Sequence, residues 1–488
     1  MRRLASLCTG ALLLLAGTAR AQSTPSAPEK LALGEWLLSP SLEARFRGEY
    51  RADAPDLGGT DFVGTDSRRV RNAWTVMERA RRGLGAARGP VRVQVTLQDA
   101  RALGGSLSDA TVGSAADRFA KFQPYEAFAE VHGRGDRPHY LRLGRQSVVW
   151  GEGRLIGNAD FAPSGRALDA VRAHLTFRNL EIEALAALLE MPGPLGASFG
   201  DRAGPQATGT QLYGVTAKYT FDPLLKVEAF GIARIARSDG SGLDGSRFAL
   251  SRLSSEKLTG SLRLSGEGRG WSWGAEGAFQ GGDASSLAIG GADIAAWAAY
   301  AHVEKVIDQL RLAPTVRLEG SYASGDDGRG KYKQFDPLLP DPQRFHGPMD
   351  LFGWSNMIDL GGSVRVTPAT DTTVTVGYRY ARLAEAQGEW VGGYMSAVGS
   401  AILPPVTQAP ARSTNPTDAK DLGHELDLSV AWRPFLPVEV RAGWSGLLLG
   451  TGAKAIMVAH GRGSRDAGTV FPSSLAQYAY LQATVTVP

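Results

Sequence analysis

Apolar and polar residues alternate along most of this chain with a period of two. In residues 42–51, Leu42, Ala44, Phe46, Gly48 and Tyr50 interleave with Glu43, Arg45, Arg47, Glu49 and Arg51. Val91, Val93, Val95 and Leu97 alternate with Arg92, Gln94, Thr96 and Gln98, and Tyr213, Val215, Ala217, Tyr219 and Phe221 with Gly214, Thr216, Lys218 and Thr220. Leu310, Leu312, Val316 and Leu318 alternate with Arg311, Thr315, Arg317 and Glu319 in the same way. This period places neighbouring side chains on opposite faces of a strand. About eighteen such segments, each roughly 9 to 11 residues long, match tilted strands that cross a bilayer. They begin near residues 41, 69, 90, 124, 138, 170, 180, 211, 224, 256, 270, 294, 310, 356, 371, 422, 438 and 476.

The connections alternate too. Short turns, such as 133–137, Asn179, Asp222 with Pro223, and 433–437, are followed by long stretches rich in Gly, Asp and Pro. The long ones include 52–68, 100–123, 149–169, 322–355 and 383–421. Short turns on one side and long loops on the other, around an even strand number, predict an all-β transmembrane antiparallel up-and-down β-barrel of the outer-membrane type. A soluble sheet would alternate as well, but this many strands would need separate cores, and no linker composition divides the chain. Aromatic residues near segment ends (Tyr50, Tyr140, Trp271, Trp297, Tyr378, Trp432) fit the two interfacial girdles of a barrel.

Charge and cysteine narrow the picture. Met1, Arg2 and Arg3, an apolar stretch over 4–16, and the small-residue end Ala19, Arg20, Ala21 have the three parts of a signal peptide. The chain therefore divides into a signal peptide (1–21), a short periplasmic segment (22–40) and the barrel (41–488). Cys8, the single cysteine, leaves with the signal peptide, which removes disulfides and thiolate metal sites. Loss of Arg2, Arg3 and Arg20 leaves 50 basic residues against 49 acidic ones, so overall charge argues neither for nor against a nucleic-acid partner, and it is secretion that speaks against one. After Ala21 no apolar run approaches the roughly 20 residues of a membrane helix. The chain end, 483–488 (ATVTVP), lacks the terminal aromatic common in outer-membrane barrels.

One region stands apart: 141–146 (LRLGRQ) and 151–172, in which Gly153 to Gly157 (GRLIG), Asp160, Phe161, Gly165, Arg166 and 169–172 (DAVR) are crowded together. With 323–328 (ASGDDG), 335–339 (FDPLL), 346–354 (HGPMDLFGW), 356–360, 423–428 (GHELDL), Pro434, Gly443 and Trp444, it resembles the alginate export family of outer-membrane channels. The resemblance implies an eighteen-stranded monomeric barrel that passes an anionic polysaccharide outward, or a relative with another solute. Partners would be the acidic polymer, outer-membrane lipid and a periplasmic scaffold.

A polyuronate carries a carboxylate on each sugar, so its passage needs cations spaced along a lumen, and arginine's two-pronged donor suits them best. Strand phase places Arg45, Arg47, Arg92, Arg142, Arg172, Arg317, Arg365 and Arg379 on the inner face, together with Arg51, Arg178, Lys218, Arg263 and Arg311. Arg145 is out of phase with Arg142 and turns inward only if a bulge forms near Gly144; otherwise it sits at the rim. Arg154, Asp160, Arg166 and Asp169 make the loop 150–169 the candidate constriction, with Gly151, Gly153, Gly157 and Gly165 permitting a tight inward path. Outer loops such as 322–355 or 383–421 are the candidate gates. Glu43, Glu49, Glu130, Glu183, Glu319, Glu425 and Asp427 share the inner face, so the lumen is nearly balanced and many charges are expected to pair.

No cofactor or metal is expected: Asp326 and Asp327 suit an acidic turn better than a calcium site, and His132, His174, His302 and His424 have no paired spacing. A barrel lipase or protease would need a nucleophile and base at one rim, which these scattered histidines do not supply. Two transport readings stay open: a channel for an anionic polysaccharide, and a small-solute porin of the same fold used for uptake.

Overall fold

A computed structural model describes residues 31–52, 72–103, 122–133, 138–189, 209–237, 254–284, 292–392, 417–461 and 474–487. The expected signal peptide and residues 393–416 of the 383–421 loop lie outside the described residues. The strands are β1 (Leu31–Leu33), β2 (Trp36–Ala52), β3 (Asn72–Arg88), β4 (Val91–Leu103), β5 (Phe122–His132), β6 (Tyr140–Gln146), β7 (Leu168–Phe177), β8 (Leu180–Leu188), β9 (Gly209–Asp222) and β10 (Leu225–Arg237). They continue as β11 (Ser254–Gly268), β12 (Trp271–Ala284), β13 (Ala292–Val306), β14 (Thr315–Ala323), β15 (Met357–Ala369), β16 (Thr372–Leu383), β17 (Asp421–Phe435), β18 (Val438–Leu449) and β19 (Leu475–Val487), with one α-helix among the described residues, α1 (Thr451–Gly461), before β19.

Each strand from β2 to β19 pairs antiparallel with its chain neighbours, and β19 closes on β2 from Val487↔Leu42 to Gln477↔Ala52. The result is a closed eighteen-stranded barrel. The strand β1 forms an extra short hairpin with β2. Closure leaves no sheet edge inside the membrane, where an unpaired backbone group would find no water.

Exposure follows the period of two. Outward positions are apolar and open, as at Leu143 (60%) and Leu360 (59%), while inward neighbours such as Arg45, Arg47, Arg79, Glu130 and Gln98 are buried. Short turns close one end. At Arg269 and Gly270 both residues have positive φ, the hairpin geometry whose twist matches that of the flanking strands.

Three boundaries differ from the sequence expectation. The strand β2 begins at Trp36, ahead of residue 41. Leu310 and Leu312 lie in the turn before β14 rather than in a strand: Pro314 ends the turn, and Leu312 and Ala313 have positive φ. Arg311 leaves the inner face with them, and Arg178, also at positive φ, sits in the turn between β7 and β8.

The apolar core is inside the barrel. Ile156, Leu155, Phe335, Leu338 and Trp354 from loops pack against Leu212, Phe230, Ile232, Ala296 and Tyr300 of the wall. Met349, Leu351, Phe352 and Trp390 pack against Leu383, Leu422, Leu447 and Tyr478. Burying each large side chain contributes roughly 1.5–3 kcal/mol, enough to hold long loops within the lumen.

Candidate functional site

The loop between β6 and β7 folds into the barrel, and its tip rests on the inner faces of β2 and β3. Arg45 donates to the carbonyls of Asp160 (2.7 Å) and Ala162 (2.6 Å), and Arg47 to that of Phe161 (2.6 Å). Arg79 donates to the Asp160 carbonyl (2.9 Å), and Arg81 to that of Ser164 (3.2 Å). The Asp160 carboxylate pairs with Arg81 at 2.7 Å and with Arg79 at 3.1 Å. Burial opposes its ionisation, yet Arg79 and Arg81 outweigh that and hold the carboxyl below the ordinary aspartate range. Glu43 accepts from Arg79 (2.8 Å), Glu49 pairs with Arg47 (2.7 Å), and Arg51 donates to the Met349 carbonyl (3.0 Å). Five arginines on two adjacent strands thus face three carboxylates beside the loop tip.

The loop between β14 and β15 also enters the lumen and joins the first. Gly157 donates to Leu339 (2.7 Å), Leu339 to Leu155 (3.0 Å) and Asp341 to Gly153 (2.8 Å), a short backbone ladder that includes the parallel bridge Ile156↔Leu339. A Cβ at position 157 would lie 2.8 Å from the Asp341 nitrogen, so glycine is required for this approach. Arg154 is buried beneath the pair, its guanidinium 3.2 Å from the Tyr300 ring centre and 3.9 Å from that of Phe345. Burial pushes its guanidinium pKa down.

The second loop is pinned to the wall by charge. Asp336 is buried between Lys257 and Arg234, and His346 Nδ1 lies 3.0 Å from Asp359, which also accepts from Ser321 (2.6 Å) and pairs with Arg379. Asp350 is half-buried, accepts from Gln343, and enclosure of its carboxyl pushes the group up to about 8.

This architecture has known counterparts. The alginate export family model matches residues 37–190 and 198–447. The chain belongs to the alginate export family. No curated protein matches it. Its fold is similar to the outer-membrane protein OprD from Pseudomonas aeruginosa, at 11% identity, covering 92% of this chain and 94% of that one, with a TM-score of 0.51. It is also similar to OpdQ of Pseudomonas aeruginosa (10% identity, 92% and 98% covered, TM-score 0.53) and OccAB2 of Acinetobacter baumannii (11%, 92% and 98%, 0.52). This member of the alginate export family is an outer-membrane β-barrel channel and not an enzyme.

Within it, the residues expected to line the lumen separate into groups. Arg45, Arg47, Asp160 and Arg166 hold the inward loop in place; Arg166 donates to the Gly157 and Pro340 carbonyls, both at 3.0 Å. Arg154 is sealed in the loop core. Arg142 pairs with Glu130 (2.5 Å), Arg172 with Glu183 (2.6 Å), Arg317 with Glu319 (2.9 Å), Arg365 with Glu304 (3.1 Å) and Arg379 with Glu319 (2.5 Å), all on the inner wall. Arg92 faces the lumen near the turn end, exposed, 6.0 Å from the Phe128 ring.

Arg145 and Asp169 face away from the lumen and pair with each other at 3.1 Å. They are in register across β6 and β7, and no bulge breaks the pairing there, so Arg145 keeps the outward phase of Leu141 and Leu143. Arg79 and Arg81 escaped the sequence reading because Glu78 and Arg82 put charges on both phases of β3; the apolar Trp74, Val76 and Leu84 mark the outward one.

Proposed function

We propose that this channel passes an anionic polysaccharide such as a polyuronate across the outer membrane, in the direction of export, after removal of the signal peptide 1–21. The observation that carries the reading is the excess of arginine over carboxylate on β2 and β3 at the loop tip. Family membership gives the substrate class its prior weight. Elsewhere on the wall pairing with carboxylates weakens the pull of each arginine, and weak, repeated contacts let a polymer enter and leave better than one tight site. A periplasmic scaffold at the short-turn side would deliver the polymer.

A second reading, uptake of small acids, draws on the joined loops that fill much of the lumen. A channel of the same fold, OpdK of Pseudomonas aeruginosa (10% identity, 92% of this chain and 98% of that chain, TM-score 0.51), has been crystallised with vanillate. The separating experiment is the reversal potential of the purified protein in a planar bilayer under a salt gradient, repeated with a polyuronate on one side. Anion selectivity with polymer block supports the polysaccharide channel. A pore blocked by small aromatic acids and indifferent to the polymer supports the second reading instead.

A further inference from the structure

Beside the arginine wall, Tyr480 of β19 and Phe161 of the inward loop form an aromatic pair. Tyr480 projects inward from β19, in register with Gly443 of β18 and Glu49 of β2. A Cβ at Gly443 would lie 2.3 Å from the Tyr480 ring, so the absent side chain lets the ring lie against the wall. Phe161, at the tip of the inward loop, meets Tyr480 edge-on, with centroids 5.8 Å apart and planes at 85°. Arg47 stacks on Phe161 at 3.9 Å, and Arg47, Arg441, Glu49 and Asp427 are the charged groups acting on Tyr480. Both rings are half-buried, so part of each faces the lumen.

We propose that Tyr480 and Phe161 form a stacking station for the pyranose ring of a sugar acid at the constriction. The reading rests on the polysaccharide function proposed above and adds to it a recognition of the ring as distinct from the charge. An aromatic face carries a negative quadrupole and attracts the slightly positive C–H face of a sugar. With arginines on one flank, the station matches a ligand having one carboxylate and one apolar ring face per unit. A flexible polyanion without rings would use the arginines alone.

The test compares residence times of blocking events in planar bilayers for an oligouronate and for polyglutamate of the same charge number, using the full-length channel. Replacing Tyr480→Leu or Phe161→Leu should shorten oligouronate events about two- to tenfold and leave polyglutamate events unchanged, with Tyr480→Phe restoring the wild-type value. Open-channel conductance reports assembly of each variant, and Phe161, on a loop, offers a test independent of strand β19. Equal changes for both polymers, or none for either, overturn the station while leaving the anionic channel standing. Shortening seen only with benzoate overturns it in favour of a flat aromatic acid. Absence of block by any polymer in the wild type removes both proposals together.

Discussion

Replacing Arg45→Met separates two roles for the arginine wall: anchoring the constriction and binding solute. Arg45 is buried and spends its donors on the carbonyls of Asp160 and Ala162. Asp160 retains a second donor in Arg79 at 2.9 Å, whereas Ala162 would keep only a long contact of 3.4 Å from the same residue. The variant therefore loses both charge-assisted bonds, and because Asp160 keeps Arg79 the cost is mainly that of the poorly satisfied Ala162 carbonyl, about 2–3 kcal/mol. That difference raises the population of a displaced loop roughly 30- to 150-fold. Single-channel recording should show frequent openings to a larger conductance that are rare in the wild type. If Arg45→Met leaves the conductance states unchanged and only weakens polymer block, Arg45 is a ligand residue and the anchoring argument fails.

Other consequences are equally direct. Asp160→Asn removes one of three carboxylates facing five arginines while keeping a hydrogen-bonding side chain, so the reversal potential should move toward greater anion selectivity; an unchanged value would mean that this cluster does not set selectivity. An aspartate in the unfolded chain ionises near pH 4, whereas Asp350 keeps its proton up to about 8. The packed loop thus binds more protons across that interval, and its stability falls as pH rises through it. Open-state noise should increase between about pH 4 and 8 and level off above that, and Asp350→Asn should flatten the dependence. The double variant Arg145→Leu, Asp169→Leu changes only an outward pair, so selectivity and block should match the wild type in the bilayer assay, while a loss of selectivity would place these residues in the ion path.

Much of the barrel was legible because burial in a sheet has a period that sequence records directly. The starts expected near 180, 371 and 438 agree closely with Leu180, Thr372 and Val438, each following a short turn whose residues cannot continue a strand. The turn before β14 was less legible: Leu310, Arg311 and Leu312 alternate like a strand, and only the positive φ values of Leu312 and Ala313 show the chain reversing. The outward phase of Arg145 hung on a bulge near Gly144, a matter of pairing with β7 rather than of local composition. Inward-facing arginines were recognisable by phase, but what each one meets was not.

The sequence by itself determined the all-β barrel, its outward apolar surface, the division into short turns and long loops, and the inward concentration of arginine in the early strands. These follow from periodicity and turn chemistry, which act over a few residues. Only the tertiary structure decided that Arg45 would hold a loop 115 residues away, that Ile156 and Leu339 would join two loops inside the lumen, and that Tyr480 would face Phe161. The physical reason is that the acceptors are largely backbone carbonyls. Every residue carries one, so no side-chain pattern marks which of them a distant arginine will find, and the choice belongs to the closed geometry of the barrel.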